Sequence, residues 1–389
     1  MTVSMPNTQR EGWPISNDRK LRGLPAFALF LCFSLAATAQ ETGADFDGIA
    51  ANAEAARKQG NIEAATQLYA QAVALKPQWQ DGWWFLGVLQ YQQNEFVPAH
   101  DALSHYLELK PEAGAALALR GLCEFETEQY PESLRDLQHG IELGAASQPR
   151  NADIVLYHEA LLLTRLGRFE EAIGKYSAFV KQGKVNEDLT TGIGLAGLRM
   201  SLLPRDVDPQ RAPFVAMTGG AAAMIMRSEM DSGREGFEEI FKQFPNAPNV
   251  HYFYGYLLFP TDPAAAIGQF KQELAVAPKS AIANGMLGWA YVSQGAYADA
   301  MPVAEKAIAE DPSLTVGQLV LGKAMVETDN PSGGIPHLEK VLQSEPENLE
   351  AHLTLVKAYS KLGRKDDARH ERLTCLDLSR GGTQPRVTP

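Results

Sequence analysis

Residues Ala281–Leu314 read AIANGMLGWAYVSQGAYADAMPVAEKAIAEDPSL, and this stretch decides the fold. Two amphipathic helical patterns flank a tight turn at Gln294-Gly295, and Asp311-Pro312 closes the unit. Leu287 and Tyr291 lie four residues apart, so they share one helix face. Gly288 and Ala300 are small enough to let the two helices approach closely, and Ala304 and Ala307 continue the inner face of the second. Pro312 has no N–H to donate and ends that helix. One such hairpin cannot bury its apolar face alone and needs neighbours stacked on both sides.

The neighbours are written in the same pattern. Towards the N-terminus, one unit has Lys58-Gln59-Gly60 at its turn, then Ala65, Tyr69, Ala72 and Pro77. The next has Trp83, Leu86, Gly87, Phe96, Ala99 and Pro111. A third has Leu117, Gly121, Tyr130 and Leu137, and a fourth has Leu156, Ala160, Gly167, Phe169, Ala172 and Tyr176. Towards the C-terminus follow Leu321, Gly322, Leu338, Val341 and Pro346, then Leu355, Tyr359, Gly363, Ala368 and Cys375. This spacing of small, aromatic and proline positions resembles the tetratricopeptide repeat, whose period is about 34 residues. The resemblance implies an all-α, right-handed superhelical solenoid of about nine hairpins, irregular in the middle, that binds a peptide or protein segment in a concave groove. No run of β alternation competes with the all-α reading.

The pattern divides the chain. Residues 1–39 carry a basic lead (Arg19, Lys20, Arg22), the apolar run Leu24 to Ala37, and the small residues Ala37-Thr38-Ala39. That order predicts a secretory signal peptide cleaved before Gln40, and hence a periplasmic or secreted protein. The alternative is an uncleaved anchor and a membrane-tethered envelope assembly factor, although the run is shorter than the ~20 residues of a comfortable span. Repeats one to four occupy residues 46–186. Residues 187–250 are degenerate: a helical stretch from Leu189 to Leu203 is broken by Pro204-Arg205-Asp206-Val207-Asp208-Pro209, with no obvious second helix before residue 216. Regular repeats return over 251–378, beginning with a shortened one and ending in a helix loaded with charge, the expected polar cap. The tail 379–389, with Gly381-Gly382 and two prolines, reads as disordered.

Composition narrows the function. The 389 residues carry a net charge of −12, which becomes −14 once a leader of charge +2 is removed. This argues against nucleic acid, which calls for a basic stripe, and against an anionic membrane surface. A membrane is implied only if the N-terminal segment is retained. Cys123 and Cys375 lie several repeats apart and read as small buried apolar residues. The string Gly192-Ile193-Gly194-Leu195-Ala196-Gly197 matches a dinucleotide fingerprint but lacks the preceding β-strand, so it reads as small residues for close helix packing. His158-Glu159 begins like a zinc-protease helix, but Leu162 stands where the second histidine belongs. No metal site, cofactor or catalytic constellation is legible, and the chain reads as a non-enzyme.

By the same resemblance, the first helix of each repeat lines the groove through its fifth, ninth and twelfth positions. The register then offers Trp84, Val88 and Tyr91, next Leu122 and Phe125, next Tyr157 and Leu161, then Tyr252 and Tyr256, and finally Trp289. The lysines and asparagines by which the family's best-known groove grips a C-terminal carboxylate are mostly absent from these positions. Rigid aromatics with polar tips suit an apolar or extended peptide partner.

Overall fold

The structure is a computed structural model that describes residues 42–147 and 149–380. The leader and the tail beyond Arg380 lie outside the described residues. Among those described, every regular element is helical. The chain folds as two compact units: one runs to Tyr176 and includes Ser201–Leu203, and the other comprises Ser177–Met200 and everything from Pro204 onward.

The first unit is a run of helical hairpins: α1 (Thr42–Lys58) with α2 (Ile62–Leu75), α3 (Gln80–Gln92) with α4 (Phe96–Leu109), and α5 (Gly114–Glu126) with α6 (Tyr130–Glu142). In the next pair, α7 (Pro149–Arg165) and α8 (Phe169–Lys181), the Thr164 and Tyr176 hydroxyls lie 3.3 Å apart and Lys175 pairs with Glu159 at 2.8 Å. Each hairpin stacks on the next through its second helix. The close approach inside a hairpin is set by one glycine position. A Cβ on Gly87 would meet the Leu103 side chain, and one on Gly121 would meet that of Leu137. Both leucines are fully buried. Trp83 is half-buried; its indole N–H donates to the Pro77 carbonyl at 2.8 Å and its ring lies against His105.

The second unit opens with α9 (Glu187–Gly197), then a 3-10 turn (Pro204–Asp206). Its hairpins are α10 (Ala212–Met226) with α11 (Met230–Gln243), α12 (Val250–Leu258) with α13 (Pro263–Val276), α14 (Ala281–Ser293) with α15 (Tyr297–Glu310), α16 (Thr315–Glu327) with α17 (Pro331–Ser344), and α18 (Leu349–Lys361) with α19 (Lys365–Ser379). Nine hairpins and one odd helix, α9, therefore make up the described residues. The helix expected over Leu189–Leu203 stops at Gly197, because Arg199 turns the chain through φ +56°. The second helix not legible before residue 216 begins at Ala212, after Pro204 and Pro209 and before Pro213. Pro213 sits in the first turn of α10, where its missing N–H costs nothing.

The turn between the two helices of a hairpin needs one residue in the left-handed region. Those residues fall 34 apart at Gly60, Asn94 and Glu128, and again at Gly295, Asp329 and Gly363. The seam between hairpins also repeats. Gln318 and His352, fourth in their helices, donate to the carbonyls of Pro312 and Pro346 at 3.0 and 2.9 Å, as Trp83 does to Pro77.

The entry to α9–α13 is built differently. α9 and α10 cross backbone to backbone: a Cβ on Gly194 would lie 2.1 Å from the Val215 carbonyl oxygen, and one on Gly219 only 1.7 Å from that of Thr190. The fingerprint-like glycines thus serve helix packing, as read from the sequence. Asn249, at φ +69°, starts α12. The fully buried Glu273 carboxylate accepts from the Asn249 and Tyr252 amides at 2.7 and 3.1 Å, satisfying donors that an N-cap side chain would normally take.

Candidate functional site

The predicted groove residues separate by burial. In the first unit Trp84, Val88 and Tyr91 are half-buried on one face of α3 and pack on the cluster around Leu103, Leu107 and Leu119. The Trp84 ring lies 5.6 Å from Tyr106, and Tyr91 meets Phe96 edge-on at 5.6 Å. Burial raises the Tyr91 hydroxyl well above the ordinary phenol range. Tyr157 on α7 is half-buried against Tyr176. In the second unit Tyr256 and Trp289 are half-buried. Leu122, Phe125, Leu161 and Tyr252 are different: all four are buried in the packed interior and cannot line an open groove as expected. Helix phase alone puts all four on the groove side, but the next hairpin covers that phase wherever stacking is close.

The second unit holds a better-defined face. Trp289, Lys323 and Lys357 occupy the ninth position of α14, α16 and α18, 34 residues apart. Trp289 packs on the core of its own hairpin and on that of the hairpins after it, and the Lys323 ammonium sits 5.7 Å from its ring centroid, a cation–π geometry. Lys323 also pairs with Glu350, and Lys357 with Glu327. Lys361 donates to the Val326 carbonyl at 2.7 Å and to Asp329 at 2.8 Å, which holds the Asp329 carboxyl below its usual range. The face is thus an aromatic platform beside alternating charges with no net excess. Lys323 and Lys357 were missed in the sequence because they are not aromatic. Their signal was the 34-residue offset from Trp289.

The first unit also has a charged recess of about 580 Å³, bordered by Arg120, Arg135, Asp136, Gln138, His139 and Arg168. Arg120 donates to Asp136 at 2.6 Å across α5 and α6. Two buried carboxylates lie on the helices behind it. Glu124 is 3 % exposed, and its Oε1 lies 3.5 Å from His100 Nε2. Burial, with Asp136 nearby, pushes its carboxyl up to about 7. Glu159 accepts from Lys175 at 2.8 Å and Gln138 at 3.3 Å. The second oxygen of each finds no hydrogen-bond partner among the described residues. Cys123 is buried on the same helix as Glu124, and burial raises its thiol to about 12, so it is no nucleophile at neutral pH. Among the described residues no three His, Cys, Asp or Glu side chains gather to hold a metal, and no helix is long and apolar enough to cross a membrane.

Family models of the tetratricopeptide repeat match residues 51–99, 261–314 and 325–371. The chain carries tetratricopeptide repeats. The matched stretches fall on regular hairpins: α14 and α15 lie inside one of them, and the repeat's turn, seam and glycine positions recur there as described above. Residues 100–260 lie outside them, α5–α8 as well as α9–α11. Among solved structures the chain is similar to a MamA RS-1 double mutant, at 20% identity and TM-score 0.39 over 43% of this chain and 94% of that one. It is also similar to another MamA crystal structure, at 19% identity and TM-score 0.36 over 44% of this chain and all of that one. No curated protein matches the chain.

Proposed function

We propose that this tetratricopeptide-repeat protein is a non-catalytic scaffold that binds an extended protein segment along the first helices of its repeats, outside the cytoplasm. The observation that carries the reading is the register of Trp289, Lys323 and Lys357 on three successive hairpins. Side chains repeated at one position of successive units meet successive residues of an extended ligand. A half-buried tryptophan offers a large rigid contact at low entropic cost, and the flanking lysines and carboxylates offer charge-assisted hydrogen bonds to a peptide backbone or side chains. Within the first unit, Trp84, Val88 and Tyr91 on α3 offer a separate, more apolar contact face. The extracytoplasmic location rests on the basic lead, apolar run and small residues of 1–39.

Capture of partners by cross-linking in the native compartment tests both parts. Lys357→Glu, at a half-exposed side chain, is expected to weaken capture roughly tenfold without changing the circular dichroism. Trp84→Ala with Tyr91→Ala is expected to lose part of the same partner set. An unchanged partner set in folded variants rejects the groove reading. Mass spectrometry of the mature N-terminus separates a chain beginning near Gln40 from one that keeps its leader as an anchor.

A further inference from the structure

The last hairpin leaves uncovered positions that earlier hairpins cover. Leu353 on α18 is 49 % exposed, whereas Leu319, its equivalent on α16, is 7 % exposed beneath the next hairpin. Leu376 on α19 is 45 % exposed; its equivalents Leu342 and Ile308 are half-buried against the following hairpin's core. Leu373, 56 % exposed, stands where α15 and α17 carry the exposed Glu305 and Glu339. A leucine stands in the place of a solvated glutamate on the last described hairpin, so the capping helix expected to be polar presents two bare leucines.

The charges beside these leucines have a particular order. Asp366, Arg369, Leu373, Asp377 and Arg380 follow the three- and four-residue spacing that keeps them on one stripe of the helix, and Leu376, three residues after Leu373, flanks it. Asp366, Arg369, Asp377 and Arg380 are all exposed, and none has an ion-pair or hydrogen-bonded side-chain partner among the described residues. If two such helices run antiparallel about a two-fold axis at Leu373, each Arg369 faces the other copy's Asp377, and each Asp366 faces the other copy's Arg380. The stripe is then self-complementary, as an isologous interface requires, while a parallel arrangement would oppose like charges.

We propose that α19 is a self-association face that pairs antiparallel with α19 of a second copy of this chain. Leu373 contacts its own equivalent at the axis and Leu376 packs beside it, which removes the apolar surface from water. The charge pairs, weak individually at a surface, fix the direction of the pairing.

Sedimentation velocity on the full chain over a concentration series tests this. The wild type is expected to form a concentration-dependent dimer. Leu373→Glu is expected to return it to monomer, with loss of at least about tenfold in affinity. Arg369→Asp and Asp377→Arg should each weaken the dimer roughly tenfold by opposing like charges, and the R369D/D377R double variant should restore it. These positions are exposed, so circular dichroism should be unchanged throughout. A wild-type monomer at every concentration overturns the proposal. So does a dimer that survives L373E at wild-type strength, or a double variant no stronger than either single one.

Discussion

Two helix pairs in the second unit do the same job with different materials. In α16–α17 a side chain shares the crossing with backbone: the fully buried Leu338 side chain lies nearest to a Cβ on Gly322, with the Gly334 carbonyl oxygen at 3.1 Å. In α9–α10 nothing intervenes, and Gly194 and Gly219 bring backbone against backbone. The first arrangement is the more tolerant at Gly322, because a side chain can shift rotamer when its neighbour grows. The second is not, because a peptide carbonyl cannot move without bending its helix. The difference also explains why the repeat pattern fades over 187–226: a seam without interdigitating side chains leaves no leucine at the expected place.

The comparison can be broken most sharply by adding one methyl group on each side of it. Gly219→Ala puts a Cβ 1.7 Å from the Thr190 carbonyl oxygen and is expected to cost about 3 kcal/mol or more in urea denaturation of the second unit. Gly322→Ala meets first the fully buried Leu338 side chain, 2.8 Å away, and gains helix propensity, so it should cost less, about 1–2 kcal/mol. Equal losses for the two would show that the seams are equivalent.

Titration sharpens the contrast at intermediate size. The α9–α10 crossing is made by glycines, Thr190 and Val215, none of which titrates. The first unit's regular seam instead holds Glu124 among His100, Arg120, Arg135 and Asp136, with its carboxyl at about 7 against an ordinary 4.5. A raised carboxyl means that the folded state keeps a proton the unfolded chain has released. Stability from this group is therefore full below about 4.5 and is lost as pH rises through about 7. Glu124→Gln should remove that loss and leave the first unit about 2 kcal/mol more stable than wild type near pH 8, with little difference near pH 4. Denaturation midpoints at the two pH values check it; a wild-type pH slope retained in the variant sinks it.

The smallest effect lies in the turns. Glu128 occupies the left-handed position at φ +62° that Gly60, Gly295 and Gly363 hold elsewhere. Glu128→Gly should raise stability by about 1 kcal/mol in thermal unfolding, through relief of backbone strain. The same change at Gly60 is already made by nature, so Gly60→Glu should lower stability by a similar amount.

Much of the fold was legible because the repeat is a local code. Leu287, Gly288, Ala300 and Pro312 name a helix face, a close approach and a stop within a single hairpin, and one family match covers that hairpin. The turn register was only half legible, since Asn94, Glu128 and Asp329 hold the left-handed turn without being glycine. The candidate site was less legible than the fold. Trp84, Tyr91 and Trp289 keep a half-open face, whereas Leu122, Phe125, Leu161 and Tyr252 are covered by packing partners that helix phase does not reveal.

The sequence by itself determined the period, the hairpin as the building unit and the stacking that a hairpin with one apolar face demands. Only the tertiary structure decided which apolar residues that stacking covers, where α10 begins, and that the leucines of α19 stay bare. The reason is physical. Periodicity follows from bonds within a helix, which neighbours in sequence dictate, while burial depends on a second helix brought up from elsewhere in the chain.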